Sequence, residues 1–118
     1  MASGPLGRLF QATVVSLIGL REAYRSESAF RQELLVLLVV IPTAWLLAKT
    51  GVERALLIGS WMLVIVVEMV NSAIEAAVDR IGKEHHALSR KAKDFGSAAV
   101  FCSIALSVAV WILVLFPD

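Results

Sequence analysis

The stretch Glu68 to Arg80, EMVNSAIEAAVDR, follows without a break on the apolar run Ala55 to Val67. At roughly 100° per residue, Asn71, Ser72, Glu75 and Asp79 all fall within about 60° of Glu68 on a helix. Met69, Val70, Ala73, Ile74 and Val78 take the other side. The segment therefore reads as a helix that faces lipid or a partner and carries an acidic stripe, not as a solvated helix charged all round. A carboxylate at membrane depth costs about 2.5–3.5 kcal/mol on insertion scales, and a structural role alone rarely offsets that. The stripe is read as a functional site.

Around it the chain is arranged in apolar runs. The helix bearing the stripe is expected over 53–81, longer than one crossing of about 30 Å requires, so that its acidic end emerges toward water before Gly82 stops it. Ahead of it, residues 33–49 form a first span, interrupted by Pro42, and Lys49 to Arg54 make a short polar turn. Between 6 and 32, apolar residues recur at spacings of three and four among Arg8, Arg21, Arg25 and Arg31, the pattern of an amphipathic helix lying in the membrane interface. Residues 1–5 are small and turn-forming and are expected to be loosely held. After the stripe, 83–94 (KEHHALSRKAKD) is a polar connection and 95–116 a third span. The expected fold is thus an all-α membrane protein: one domain over 1–118, three transmembrane helices preceded by an N-terminal amphipathic interfacial helix.

Composition agrees. The chain has 118 residues, 58% of them hydrophobic, with a mean hydropathy of +0.80, too apolar for a soluble domain of this size. A net charge of +1 excludes the basic footprint of a nucleic-acid binder. The single cysteine, Cys102, excludes a disulfide framework and a multi-cysteine metal site. Residues 1–31 do not show the order of features of a signal peptide. Lysine and arginine number four before the first span, two in the first loop, five between the second and third helices and none afterwards. The positive-inside rule then places the N-terminus and the 80–94 connection in the cytoplasm and the C-terminus outside.

Several residues in this frame can carry chemistry. Glu68 and Glu75 share a face about 10 Å apart along the axis, one deep and one shallow. The shallow carboxylate, joined by a second from another segment, suits Mg²⁺, which takes one or two carboxylates with phosphate oxygens and water. The deep one would meet a lipid head group and could serve as a general base. Lys93 and Asp94 open the third helix, where a lysine and free N–H groups favour phosphate. His85 and His86 are adjacent and read as surface residues, with nucleotide contact open to them. No G-x-x-x-x-G-K-[ST] run exists, so phosphate binding is not of the P-loop type. Trp45, Trp61 and Trp111 read as interfacial or packing aromatics, and Gly96 to Ala99 as a small-residue patch for close helix packing. The same residues are compatible with an ion or proton pathway, or with polar contacts that merely join helices. A pore would more naturally spread ionisable groups over several spans, and the surface helix with its lysine-rich connection favours an enzyme.

The segments EMVNSAIEAAVDRIG, LSRKAKDFGSAAV and ESAFRQE (27–33) together resemble the prokaryotic membrane-integral diacylglycerol kinases over nearly the whole chain. The resemblance implies a homotrimer of three-span subunits in the bacterial inner membrane that uses MgATP to phosphorylate diacylglycerol to phosphatidic acid. It also implies roles: Glu68 as catalytic base, Asn71 beside it, Glu27 and Glu75 as metal ligands that also meet the nucleotide, and Lys93 with Asp94 at the nucleotide. Arg8, Glu84 and His86 match further nucleotide or substrate positions, and Arg31 and Ser97 match lipid-side ones. Val15 stands where enterobacterial members carry a tyrosine near the adenine. The related undecaprenol kinases share the acidic motif but differ from GSAAV at the start of the third helix, so the resemblance favours diacylglycerol; undecaprenol kinase is the alternative, and a small channel or transporter subunit the other.

Overall fold

A computed structural model describes residues 4–82 and 84–118. Residues 1–3, and Lys83 of the basic connection, lie outside them. The described residues form four helices: α1 (Pro5–Ser26), α2 (Ser28–Leu47), α3 (Gly51–Ile81) and α4 (Ala87–Leu115). The last three are long and apolar enough to cross a membrane.

The boundaries differ from those expected in ways that have local causes. The helix expected over 6–32 ends at Ser26, and α2 opens at Ser28 instead of 33, because Glu27 adopts an extended backbone (φ −113°, ψ 107°) between them. Arg31 fixes this joint: its Nη1 donates to the carbonyls of Tyr24 and Arg25 at 2.8 and 3.1 Å, two of the acceptors left open at the end of α1. The start of α3 moves back to Gly51, since Thr50 Oγ1 accepts from Glu53 N at 3.1 Å while Glu53 Oε1 accepts from Lys49 N at 2.8 Å. This is the reciprocal arrangement of a capping box, shifted by one residue at its second bond. Most of the polar connection turns out to be helix: α4 begins at Ala87, eight residues ahead of 95, with His86 Nδ1 accepting from Leu88 N at 3.1 Å as its cap. Pro42 lies within a continuous α2.

Two apolar clusters hold the helices together at opposite ends. Ala23, Phe30 and Ile65 join α1, α2 and α3, with Leu34, Leu37, Trp61 and Met69 around them. Ala44, Ala48 and Leu57 meet Val110, Trp111 and Val114 of α4 at the other end. Each cluster is tied by an indole: Trp61 Nε1 donates to Glu33 O at 2.9 Å and Trp111 Nε1 to Leu57 O at 3.1 Å. Both are therefore packing residues, whereas Trp45 is exposed with Arg54 over its ring at 4.8 Å. Between the clusters, Ser60 and Ser107 hydroxyls share a hydrogen bond of 3.0 Å across α3 and α4. With no hydrophobic force between helices in lipid, such small polar contacts and close packing hold the spans.

Candidate active site

Three carboxylates and an amide meet where α1, α2, α3 and α4 approach one another. The extended backbone at Glu27 sends that residue toward α3, where Ser72 Oγ lies 3.1 Å from Glu27 Oε1 and 3.4 Å from Glu68 Oε2. One hydroxyl thus bridges two carboxylates that are distant in sequence. Ser26 Oγ adds a contact to Glu27 Oε2 at 3.3 Å. Glu68 is buried at 6% exposure and Glu33, from α2, at 8%. Asn71, also buried, presses against Gly96 of α4, where a Cβ would collide with its Oδ1. That oxygen is buried with no hydrogen-bond donor among the described residues.

Toward the end of α3 the surroundings change sign. Lys93 Nζ sits 2.7 Å from Asp79 Oδ1, in the one ion pair among the described residues, and the Glu75 charge also reaches it. Beyond the pair, Gly82, Glu84, His86, Ser89 and Arg90 line an open cavity of about 390 Å³ between α3 and α4. Cationic groups together with the free N–H groups of a helix start make this a place for phosphate. A second open cavity, about 540 Å³, lies against α2, with Tyr24, Ser28 and Arg31 at its polar side and Leu34, Leu35 and Leu38 on its apolar side. That combination suits a molecule with an apolar chain and a polar head.

Of the residues picked from the sequence, Glu27 and Glu68 share one hydrogen-bonded group, and Asn71 stands one helical turn from Glu68. Glu75 and Lys93 are near one another, and Glu84 and His86 join Lys93 at the cavity. Asp94 and Ser97 are exposed on α4, and Arg8 is exposed on α1. None of these three lines either cavity. Ser72, Asp79, Ser89 and Arg90 enter the site with no role assigned from sequence; Ser72 and Asp79 were visible on the acidic stripe, and Arg90 was visible only as a basic residue of a connection. Glu33, the last residue of ESAFRQE, received no role from the sequence, where it stands as a charge at the edge of an apolar run.

The carboxylate of Glu27 fits a divalent cation. Its hydrogen-bond partners are neutral hydroxyls, and no ion pair reaches it among the described residues. No group of three or more histidine, cysteine, aspartate or glutamate side chains gathers there among the described residues. An ion held by Glu27 and Glu75 would complete its coordination with phosphate oxygens and water, the usual manner of Mg²⁺.

Comparison with known proteins gives one consistent result. The family described as "Prokaryotic diacylglycerol kinase" matches residues 14–115. A diacylglycerol kinase of Escherichia coli K12 is 50% identical over 119 aligned positions, covering 98% of this chain and 97% of its own. Those of Pseudomonas aeruginosa and Haemophilus influenzae are 47% and 44% identical, covering 93% and 94% of this chain and 89% and 94% of theirs.

Proposed function

The chain belongs to the prokaryotic diacylglycerol kinases, and from that premise we propose that it transfers the γ-phosphoryl group of MgATP to the primary hydroxyl of diacylglycerol at the cytoplasmic face of the bacterial inner membrane. The observation that carries this reading is the sharing of Ser72 by Glu27 and Glu68. It sets a deep carboxylate, in reach of a lipid held in the bilayer, beside a shallower one suited to the metal of a nucleotide.

Glu68 accepts the proton of the lipid hydroxyl while that oxygen bonds to the γ-phosphorus and the bond to the ADP oxygen breaks, giving phosphatidic acid and ADP. Burial excludes water from Glu68, so the phosphoryl group is not lost to hydrolysis. Asn71 presents an amide on the same side of α3. Lys93, oriented by Asp79, and the cationic cavity at the start of α4 hold phosphate oxygens, with Arg8, Glu84, His86 and Asp94 contributing at the nucleotide. Mg²⁺, held by Glu27 and Glu75, would neutralise phosphate charge. Arg31 and Ser97 lie on the lipid side; Arg31 already spends Nη1 on the α1 carbonyls and so offers its remaining donors from a fixed position. The amphipathic α1 lies along the interface with its exposed Leu9, Phe10 and Leu17 in lipid. The homotrimer that the family resemblance implies belongs to the same reading.

The deciding experiment offers the purified protein [γ-³²P]ATP with diacylglycerol or undecaprenol in parallel mixed micelles. Diacylglycerol is expected to be phosphorylated much the faster. Faster labelling of the polyprenol would move the substrate to the sister activity.

A further inference from the structure

Glu33 is a second carboxyl in the apolar layer, and the reaction as described makes no use of it. Its place is fixed from both directions along α2: Phe30, one turn earlier, is packed into the cluster with Ile65, and Trp61 of α3 binds the Glu33 carbonyl. The side chain reaches the Glu68 carboxyl and interacts with it directly. Oε1 of Glu33 is buried and has no donor in reach among the described residues. The charged or titratable groups around it are Glu68 on α3 and, through Ser72, Glu27 at the α1–α2 joint, and no lysine or arginine pairs with any of the three among the described residues. Two carboxylates side by side in a water-poor layer cannot both be ionised, and the arrangement is satisfied by one proton lying between them.

We infer that Glu33 is a positioning residue for Glu68: its protonated carboxyl donates a hydrogen bond that, with Ser72 on the other side, holds the Glu68 carboxylate toward the lipid hydroxyl. A neutral donor suits this task. It orients the base without cancelling its charge, as a lysine in the same place would. The inference rests on the reading of Glu68 as the base.

The test compares Glu33→Leu, which keeps bulk in the apolar layer but removes the donor, with Glu33→Gln, whose amide can still donate, and with Glu68→Gln. Each full-length protein is assayed in diacylglycerol micelles for kcat and for KM toward MgATP and lipid. Glu33→Leu is expected to lose roughly 10²-fold in kcat, the order expected when a reacting group is misplaced by about 1 Å, with both KM values unchanged. Glu33→Gln should recover most of that loss, a rescue that a merely space-filling role would not show. A Glu33→Leu enzyme with the parent kcat, or a Glu33→Gln enzyme as slow as Glu33→Leu, overturns the positioning role. Should Glu33→Leu elute abnormally in detergent, Glu33→Ala against Glu33→Gln makes the same comparison. Normal turnover by Glu68→Gln would instead remove the base itself, whereas an inactive Glu68→Gln beside a fully active Glu33→Leu sinks only the role of Glu33.

Discussion

Asn71 and Gly96 form a close contact between the acidic stripe and α4. The amide oxygen occupies the space a methyl group would take, so the absence of a side chain at 96 is what lets Asn71 stay between the helices. Gly96→Ala must displace the amide or part the helices, and overpacking of this kind costs about 1–3 kcal/mol. The variant is expected to show a lowered thermal midpoint in detergent together with a lowered kcat. Gly59, within α3 with no side chain near it, is the control: Gly59→Ala should leave both values unaltered. Equal behaviour of the two variants would mean that Asn71 is free to move and that its contact with Gly96 does not shape the site. The acidic residues of the stripe could be recognised in the sequence because a carboxylate in an apolar run is costly and helical spacing gathers them on one face. The contact with Gly96 could not, since spacing within one helix says nothing about which small residue of another lies opposite. Glu33 was hidden for the same reason: at the border of LLVLLVV it looks like an ordinary end-of-span charge until Glu68 is seen beside it.

At the scale of whole helices, the three spans follow from apolar runs that have few other uses, and their existence and order were legible. Their ends were less so, because ends are set by side-chain to backbone bonds. The break at Glu27 leaves the apolar spacing of 6–32 undisturbed and depends on Arg31 folding back over α1. The early start of α4 depends on His86 capping a segment that its charges had marked as a loop. Thr50 and Glu53, by contrast, carry a T-x-x-E pattern that announces a helix start. Thr50→Ala removes the hydroxyl that satisfies Glu53 N, and loss of such a cap costs about 0.5–2 kcal/mol. Because Thr50 lies some 27 Å along α3 from Glu68 at 1.5 Å per residue, thermal unfolding in detergent should occur earlier while kcat stays at the parent value. A fall in kcat without a change in stability would show that the far end of α3 is coupled to the site.

For the whole molecule the decisive question is which side of the membrane the site faces. The chain extends 50 × 42 × 23 Å, and α3 at 31 residues exceeds the hydrocarbon thickness by several turns, so one of its ends must project. The end with Asp79, Arg80 and the phosphate-suited cavity is the polar one, and five of the eleven basic residues lie between 80 and 94. Basic loops are retained in the cytoplasm, which is also where a kinase meets ATP. Charge placement and chemistry thus favour the same orientation for independent reasons. In a Cys102→Ser background, single cysteines placed by Lys49→Cys and Ala87→Cys report on the two sides. A membrane-impermeant maleimide added to intact spheroplasts is expected to label Lys49→Cys alone, and Ala87→Cys only once the membrane is opened. Labelling of Ala87→Cys in sealed spheroplasts would put the acidic stripe on the outer side, where neither the positive-inside rule nor a nucleotide-dependent reaction could hold.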